Sequence, residues 1–327
     1  MYVDGGIHSP SLEGRDMKRR ALLACLATPA IAQPWRPERP VEILVGFAPG
    51  GGTDLDARSY GAAMERVLGV PFVVTNRAGA GGEVALAAVA RARPDGLTLG
   101  TTNMPGLLTI PIERTAQFKL ADFAPIASLV TDPSAMTVHA QSPLRSVADI
   151  VARARANPDA LTFASPGVGT DDHLQLVLFM ALTGTRITNV VYAGDAPMRT
   201  ALLARQVDIS GLNLGASAAN PDSTRILAHA GKVRSRFAPD VPTFKELGLE
   251  IEMASERGIV APAATPAPIL ARLREATAAV AQDPQFRQQL EQRYSEPAYE
   301  PHDAWFARLA HREAEYRRLW QTTPWNR

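Results

Sequence analysis

The sequence contains one cysteine, Cys25, and no long apolar run. The cysteine lies in a short apolar segment, residues 21–32, which follows the basic residues of positions 18–20 and ends in small residues. This order predicts a secretory signal peptide that is cleaved before Gln33. The segment is shorter than the roughly 20 residues that a membrane-spanning helix needs. Cleavage would remove the cysteine, so we expect an exported protein without disulfide or thiol chemistry. Met17 is an alternative start of translation, in which case residues 1–16 would not be part of the protein.

Charge of one sign is also lacking. The whole chain has a formal net charge of +1, and removal of residues 1–32 leaves equal numbers of basic and acidic residues. Nothing in this balance favours nucleic acid or an anionic membrane as a partner. The histidines are scattered without the paired spacing of metal ligands, so we predict no metal site. Dinucleotide and Walker fingerprints are absent from the glycine-rich stretch at residues 47–58, and we predict no cofactor.

That glycine-rich stretch is the first candidate site. It follows an apolar run at residues 41–47 that predicts a buried strand, and it leads into a helical pattern that begins at Leu55. Glycine permits a ligand to approach the main chain, and the first N–H groups of a helix have no partner within it. The stretch therefore predicts a carboxylate or phosphate site, unless it is only a turn capped by Thr53 or Asp54. The candidate residues are Pro49, Gly51, Gly52, Thr53 and Asp54.

The rest of the first half predicts alternating strands and helices, which is typical of an α/β fold with largely parallel sheets. A second glycine loop at residues 76–82 precedes a helix and gives the candidates Gly79, Ala80 and Gly81. Thr102 and Asn103 lie at the carboxyl end of a predicted strand at residues 97–102, and open α/β sheets bind ligands at such ends.

The second half repeats this arrangement. A strand at residues 161–165 leads through a glycine loop into a helix from His173, and a further loop precedes a helix from Asp195. Two halves of this kind suggest a cleft between two similar lobes. Its candidate ligand-binding residues in the second half are Ser165, Gly167, Gly169, Thr170, His173, Tyr192, Gly194, Asp195 and Asn213.

An exported hydrolase is the alternative. Ser165, His173 and either Asp171 or Asp172 could form a hydrolytic set. However, Ser165 lacks the Gly-x-Ser-x-Gly elbow, and His173 would need a third group to orient it.

Several motifs together resemble a known family, the Bug (TctC-type) extracytoplasmic solute-binding receptors of tripartite tricarboxylate transporters. The resemblance covers nearly all of residues 35–320 in the family's order. It rests on residues 39–54, 73–82, 94–99, 167–174, 192–197, 239–248 and 261–266.

The resemblance implies a type II periplasmic binding protein fold, with two α/β lobes, a two-strand hinge and a ligand cleft. It places residues 33–136 and 256–327 in lobe I and residues 137–255 in lobe II. It implies a monomeric periplasmic receptor, rather than an enzyme, that holds a small carboxylate by main-chain N–H groups for a membrane permease. Dicarboxylates, tricarboxylates, acidic amino acids and aromatic carboxylates all stay open, as does a binding or sensing role without a permease. The chain departs from the family pattern at Ala193, Arg205, Glu256 and Arg257.

Overall fold

The computed structural model describes residues 1–6 and 35–326. The predicted signal peptide and its cleavage site lie outside these residues. Met1–Pro34 forms one unit and Trp35–Arg327 the other, and residues 1–6 have no regular secondary structure. Everything below concerns the second unit. In the described part of the chain, no helix is both long and apolar enough to cross a membrane.

The strands form two sheets. In chain order they are β1 (Val41–Val45), β2 (Phe72–Asn76), β3 (Thr98–Met104), β4 (Phe123–Pro133), β5 (Ala135–His139), β6 (Thr162–Ser165), β7 (Thr188–Val191), β8 (Ile209–Ser210), β9 (Thr224–His229), β10 (Ala254–Pro262) and β11 (Glu296–Pro301). The first sheet has the order β11-β4-β10-β3-β1-β2 and the second the order β7-β6-β8-β5-β9. Each sheet contains a parallel group, β2-β1-β3 in the first and β7-β6-β8 in the second.

The helices cover these sheets. They are α1 (Gly52–Leu68), α2 (Glu83–Ala90), α3 (Gly106–Glu113), α4 (Val147–Ala156), α5 (Asp171–Thr183), α6 (Asp195–Leu203), α7 (Leu214–Ala218), α8 (Ala267–Gln282), α9 (Pro284–Glu291) and α10 (His302–Thr322). Short 3₁₀ turns lie at Ala80–Gly82, Leu120–Asp122 and Lys245–Leu247. The spacing of Ser146 and Asp149, three residues apart, predicts a capping box at the start of α4, and the structure confirms it because the two residues exchange the two expected hydrogen bonds.

The chain changes sheets at two points, and these divide it into two lobes. It leaves the first sheet after β4, passes through Ser134 and enters the second sheet as β5. It returns through β10, which pairs antiparallel with β4 along most of both strands. These two strands join the lobes, and the lobe boundaries predicted from the sequence stay a prediction.

Each lobe has its own buried aromatic residues. Tyr60 on α1 is buried against the first sheet, and its hydroxyl lies 2.7 Å from Oγ1 of Thr277 on α8. Phe163 and Phe179 are fully buried between the second sheet and α5. Both glycine-loop helices are therefore held rigidly, which fixes the direction of their N-terminal N–H groups.

Three elements differ from the sequence prediction. Helix α5 begins at Asp171, two residues before the predicted start, because Thr170 is its N-cap and acidic residues are favourable in a first turn. The sequence predicts a strand over residues 258–262. Strand β10 instead begins at Ala254, so it also contains Glu256 and Arg257. Strand β11 was not predicted, since its two prolines disguise an edge strand that pairs only with β4.

Candidate functional site

Three helix N-termini face one small cavity between the lobes. Its volume is about 10 Å³, and we call it the inner cavity. Helix α1 approaches from the first lobe, while α5 and α6 approach from the second. The residues that line it are Phe47, Gly51, Thr53, Asn103, Pro166, Asp171, Asp195 and Asn213. The cavity is therefore placed where positive helix ends converge, as an anion site requires.

On the first lobe, Asp54 is occupied by local partners. Its Oδ2 atom accepts hydrogen bonds from the Gly50 N–H at 2.9 Å and from Arg58 Nε at 3.1 Å, and its Oδ1 accepts one from Asn76 at 2.9 Å. Although burial acts to raise the pKa of Asp54, these hydrogen bonds lower it below the ordinary value. The four-residue spacing of Asp54 and Arg58 predicts an ion pair on the helix, and the structure confirms it.

The alternative in which Thr53 or Asp54 caps α1 is wrong. The N-cap residue is Gly51, and no side chain fills the cap position. Asp54 is already inside the helix, so its carboxylate reaches back to the N–H of Gly50 rather than to the first turn. The N–H groups at the start of α1 are consequently left for a partner from elsewhere.

One such partner comes from the second lobe. The Asp195 carboxylate accepts a hydrogen bond from the Gly52 N–H, with 3.1 Å between Oδ2 and N. The lobes also meet through the backbone, since the Ala48 N–H donates to the Ala193 carbonyl at 2.8 Å. The structure is thus a closed form in which the protein's own carboxylate lies at the N-terminus of α1.

Asp171 is the acidic residue of α5 that faces the inner cavity. Its Oδ2 atom accepts hydrogen bonds from Ser134 Oγ and Asn213 Nδ2, both at 2.7 Å. Burial raises the pKa of Asp171 to about 6. Its neighbour Asp172 is fully buried, and neither of its oxygens has a hydrogen-bond partner among the described residues. Burial together with the Asp171 carboxylate raises the pKa of Asp172 well above the ordinary value.

Arg257 on β10 is the buried cation of the site. Its guanidinium donates to Asp56 at 2.8 Å and to Asp132 at 3.0 Å, and its side chain is only 5% exposed. Burial raises the pKa of Asp132 to about 6 even though Arg257 acts to lower it. A Cβ atom on Gly52 would lie 2.8 Å from the Arg257 guanidinium. A distant strand therefore places an arginine next to the first glycine loop, which itself contains none.

A second space, the outer pocket, lies next to the inner cavity. It has a volume of about 250 Å³, and Phe47 and Pro166 border both spaces. Its other lining residues are Gly46, Gly79, Ala80, Gly81, Glu113, Arg114, Gly167, Val168, Val191, Tyr192 and Ala193. A Cβ atom on Gly167 would lie 2.6 Å from the Cα atom of Gly81, so the glycine loops of the two lobes touch.

The predicted site residues divide into three groups. Those that line the inner cavity are Gly51, Thr53, Asn103, Asp195 and Asn213. Those that line the outer pocket are Gly79, Ala80, Gly81, Gly167 and Tyr192. Those that line neither space are Pro49, Gly52, Asp54, Thr102, Ser165, Gly169, Thr170, His173 and Gly194.

The hydrolytic set is not assembled. The Nδ1 atom of His173 accepts a hydrogen bond from the Gly169 N–H at 3.2 Å, and burial lowers the pKa of His173 to about 4. Ser165 Oγ is buried and has no hydrogen-bond partner among the described residues. His173 therefore supports the loop before α5 and does not activate Ser165.

Sequence reasoning missed Phe47, Pro166 and Arg257, and it weighed Asp171 only as part of the hydrolytic set. Arg257 had a signal, since it departs from the family pattern, but its role depends on contacts with Asp56 and Asp132. The described residues contain no group of three or more His, Cys, Asp or Glu side chains that could hold a metal ion.

A larger groove, about 810 Å³, lies away from these helix ends. It is lined in part by Lys232, Arg234, Arg236 and Arg308. These cations are paired with acidic side chains, as in the contact of 3.0 Å between Arg236 and Glu296. We therefore place the candidate site at the inner cavity and the outer pocket, where the N-termini of α1, α5 and α6 converge.

Solved structures of similar fold define the class of protein. One neighbour, described as R. palustris Rpa4515 with adipate, is 30% identical and has a TM-score of 0.82, with 88% of this chain and 98% of that chain covered. Another, MatC from Rhodopseudomonas palustris with bound malate, is 28% identical with a TM-score of 0.80 and covers 88% and 99%. The fold is that of periplasmic binding proteins.

The family follows from the sequence comparisons. The chain is 32% identical over 282 residues to a UPF0065 protein from Cupriavidus necator, with 85% of this chain and 86% of that protein covered. The model of the TctC family, the tripartite tricarboxylate transporter family receptors, matches residues 57–319, and the chain belongs to this family. It is a periplasmic solute-binding receptor and not an enzyme, as the resemblance implied.

Proposed function

We propose that this receptor closes over a small carboxylate, which the N–H groups at the starts of α1, α5 and α6 hold between the two lobes. The outer pocket accommodates the rest of the ligand. Neighbours of similar fold are described with adipate and with malate, which supports a ligand with two carboxylates. Such N–H groups carry no charge that must be removed from water, and closure strengthens their hydrogen bonds by excluding solvent.

The contact between Asp195 and Gly52 carries this proposal. A carboxylate of the second lobe already accepts a hydrogen bond from the first N–H group of α1. That carboxylate stands in for one end of the ligand, because both groups are planar anions with two acceptor oxygens. A ligand carboxylate that replaces Asp195 at this N–H would join the lobes in the same way, and hinge closure of this kind is an established domain motion.

The proposal includes export and delivery. Residues 1–32 act as the upstream segment and the cleaved signal peptide, and the mature receptor works as a monomer in the periplasm. It passes its ligand to a membrane permease of the tripartite tricarboxylate type. The family to which the chain belongs supports this partner.

The test is ligand binding by calorimetry and thermal unfolding. Succinate, glutarate, adipate, malate, citrate, glutamate and benzoate are titrated into the purified protein. A ligand at 100 times its dissociation constant should stabilise the protein by about 2.7 kcal/mol, a rise in Tm of a few degrees. No binding by any carboxylate would contradict the proposal.

A pair of glycine variants tests whether the ligand lies between the lobes. Gly81 has φ +68, and a Cβ atom there would lie 3.3 Å from the Val168 carbonyl of the second lobe. Gly184 has φ +64, and a Cβ atom there would meet nothing within 4 Å. The two positions therefore share the same backbone strain and differ in the contact across the cleft.

We expect Gly81→Val to weaken binding by about tenfold or more, since even about 1.4 kcal/mol lost from closure has that effect. Gly184→Val should lower the Tm without changing the dissociation constant. Equal dissociation constants in the two variants would show that the ligand does not need closure at the glycine loops.

A further inference from the structure

The inner cavity is lined by two acidic residues, and each has one carboxylate oxygen without a hydrogen-bond donor among the described residues. Asp171 is 4% exposed and Asp195 is 9% exposed, and both line the cavity. Each uses its Oδ2 atom, Asp171 with Ser134 and Asn213 and Asp195 with the Gly52 N–H. No described residue donates a hydrogen bond to the Oδ1 atom of either. Two buried carboxylates therefore present one unpaired acceptor each.

Asn103 supplies a third acceptor on the wall of the same cavity. Its Nδ2 atom donates to Thr53 Oγ1 at 2.8 Å and to Ser255 Oγ at 2.9 Å. Its Oδ1 atom is buried and has no hydrogen-bond partner among the described residues. A buried acceptor without a donor costs about 1–3 kcal/mol, so Asn103 Oδ1 calls for a ligand that donates, and the Oδ1 atoms of Asp171 and Asp195 can accept from the same ligand.

The buried cation Arg257 makes no hydrogen bond to Asp171, Asp195 or Asn103. Arg257 donates to Asp56 and Asp132, and its remaining contact is with Asn213 Oδ1 at 3.3 Å. The described residues also offer no cluster suited to a metal ion. The group that completes the cavity must therefore carry a single positive charge and several hydrogen-bond donors.

We propose that the inner cavity is an ammonium subsite, so that the ligand of this receptor is a carboxylate that also carries a primary amine. An ammonium group has three donors, which matches the three acceptors of Asp171, Asp195 and Asn103. A volume of about 10 Å³ suits a group the size of one water molecule. The inference rests on the proposed function, because the carboxylate is assigned to the helix N–H groups.

An amino acid satisfies both parts of the site at once. Its carboxylate takes the Gly52 N–H, and Asp195, released from that bond, pairs with the adjacent ammonium. Asp171 faces the ammonium from the opposite helix. The side chain of the ligand extends past Phe47 and Pro166, which border both spaces, into the outer pocket.

Three matched pairs of ligands test the subsite by titration calorimetry. They are aspartate with succinate, glutamate with glutarate, and 2-aminoadipate with adipate. The members of each pair differ only in the amine. We expect the amine member of at least one pair to bind about tenfold to hundredfold more tightly, the effect of one charge-assisted hydrogen-bonding group.

Asp171→Asn changes the cavity and keeps the fold contacts. The amide oxygen can still accept from Ser134 and Asn213, while the amide nitrogen presents a donor to the cavity. The preference for the amine should disappear, and the plain diacid should bind as well as before or better. Asp195→Asn is the second variant if the first does not fold, and Asp222→Asn, at an exposed position of the second lobe, is the control.

The outcomes separate this inference from the proposed function. If diacids bind as tightly as their amine partners, the ammonium subsite is wrong and the carboxylate receptor stands. A preference that survives in both variants also overturns the subsite. If 1,4-diaminobutane binds while none of the carboxylates does, and Asp171→Asn abolishes that binding, the subsite is supported and the carboxylate proposal is contradicted. Absence of binding by all these compounds contradicts both.

Discussion

The two sides of the cleft treat their acidic residues differently. On the first lobe, Asp54 is held by Arg58 and Asn76, and Asp56 accepts from Arg257. On the second lobe, no described cation pairs with Asp171, Asp172 or Asp195. A buried carboxylate that is paired with a cation has its charge compensated, whereas a buried carboxylate without a cation costs stability and is available to a ligand. If the inner cavity holds an ammonium group as proposed, the second lobe is the side that selects the charge of the ligand.

Removal of Arg257 should have the largest effect on stability, because Asp56 and Asp132 would then be buried without a cation, as Asp171 and Asp172 of the second lobe are. Arg257→Leu leaves Asp56 and Asp132 buried without their shared cation. We expect a loss of about 3–5 kcal/mol in the free energy of unfolding, measured by urea denaturation.

A compensating variant checks the cause of this loss. Arg257→Leu combined with Asp56→Asn and Asp132→Asn removes the unpaired carboxylates and should recover part of the stability. If the triple variant is no more stable than Arg257→Leu, lost packing rather than unpaired charge explains the effect.

The next prediction concerns Asp171, whose pKa in the folded protein is raised by burial to about 6 from an ordinary value of 3.8. The folded state therefore binds the proton more tightly than the unfolded state, and ionisation destabilises the protein as pH rises from about 4 to above 6. Asp171→Asn lacks this cost. Its stability relative to the natural protein should rise by on the order of 1–3 kcal/mol between pH 4.5 and 7.5.

Urea denaturation of both ligand-free proteins across this range gives the difference. Burial lowers the pKa of His173 to about 4, so its contribution to the free energy of unfolding falls as pH drops below about 6.5. Both proteins contain His173, so the comparison cancels this opposite contribution. Asp222→Asn should show no pH-dependent difference. A constant difference for Asp171→Asn would mean that Asp171 does not titrate with a raised pKa.

Much of the fold could be predicted, because its signals are local. Apolar periodicity and glycine loops indicated β1 with α1 and β6 with α5, and the resemblance supplied the two-lobe architecture. Strand β11 could not be predicted, since its pairing with β4 is set by tertiary contacts and its prolines oppose a strand assignment. Arg205 departs from a local backbone preference, because it adopts φ +56, a conformation that favours glycine.

The site was less predictable than the fold. The helix N-termini and glycine loops follow from spacing, and they brought Gly51, Asn103, Gly167 and Asp195 into the expected region. Which acidic side chains acquire a cation depends on distant strands, and Arg257 illustrates this dependence. A sequence shows a charge but not its partner, so the acceptor-lined inner cavity could only be found in three dimensions.

The smallest expected effect is that of Arg58→Ala, which tests the first-lobe side of the comparison. Arg58 is 48% exposed, and Asp54 keeps its hydrogen bonds from Gly50 and Asn76 when Arg58 is removed. An ion pair of this kind contributes about 0–1 kcal/mol, so the free energy of unfolding should change by no more than that. Salt should reduce the effect further. A loss above about 2 kcal/mol would contradict this prediction, because it would mean that Asp54 depends on the Arg58 charge and that the hydrogen bonds from Gly50 and Asn76 do not compensate for its removal.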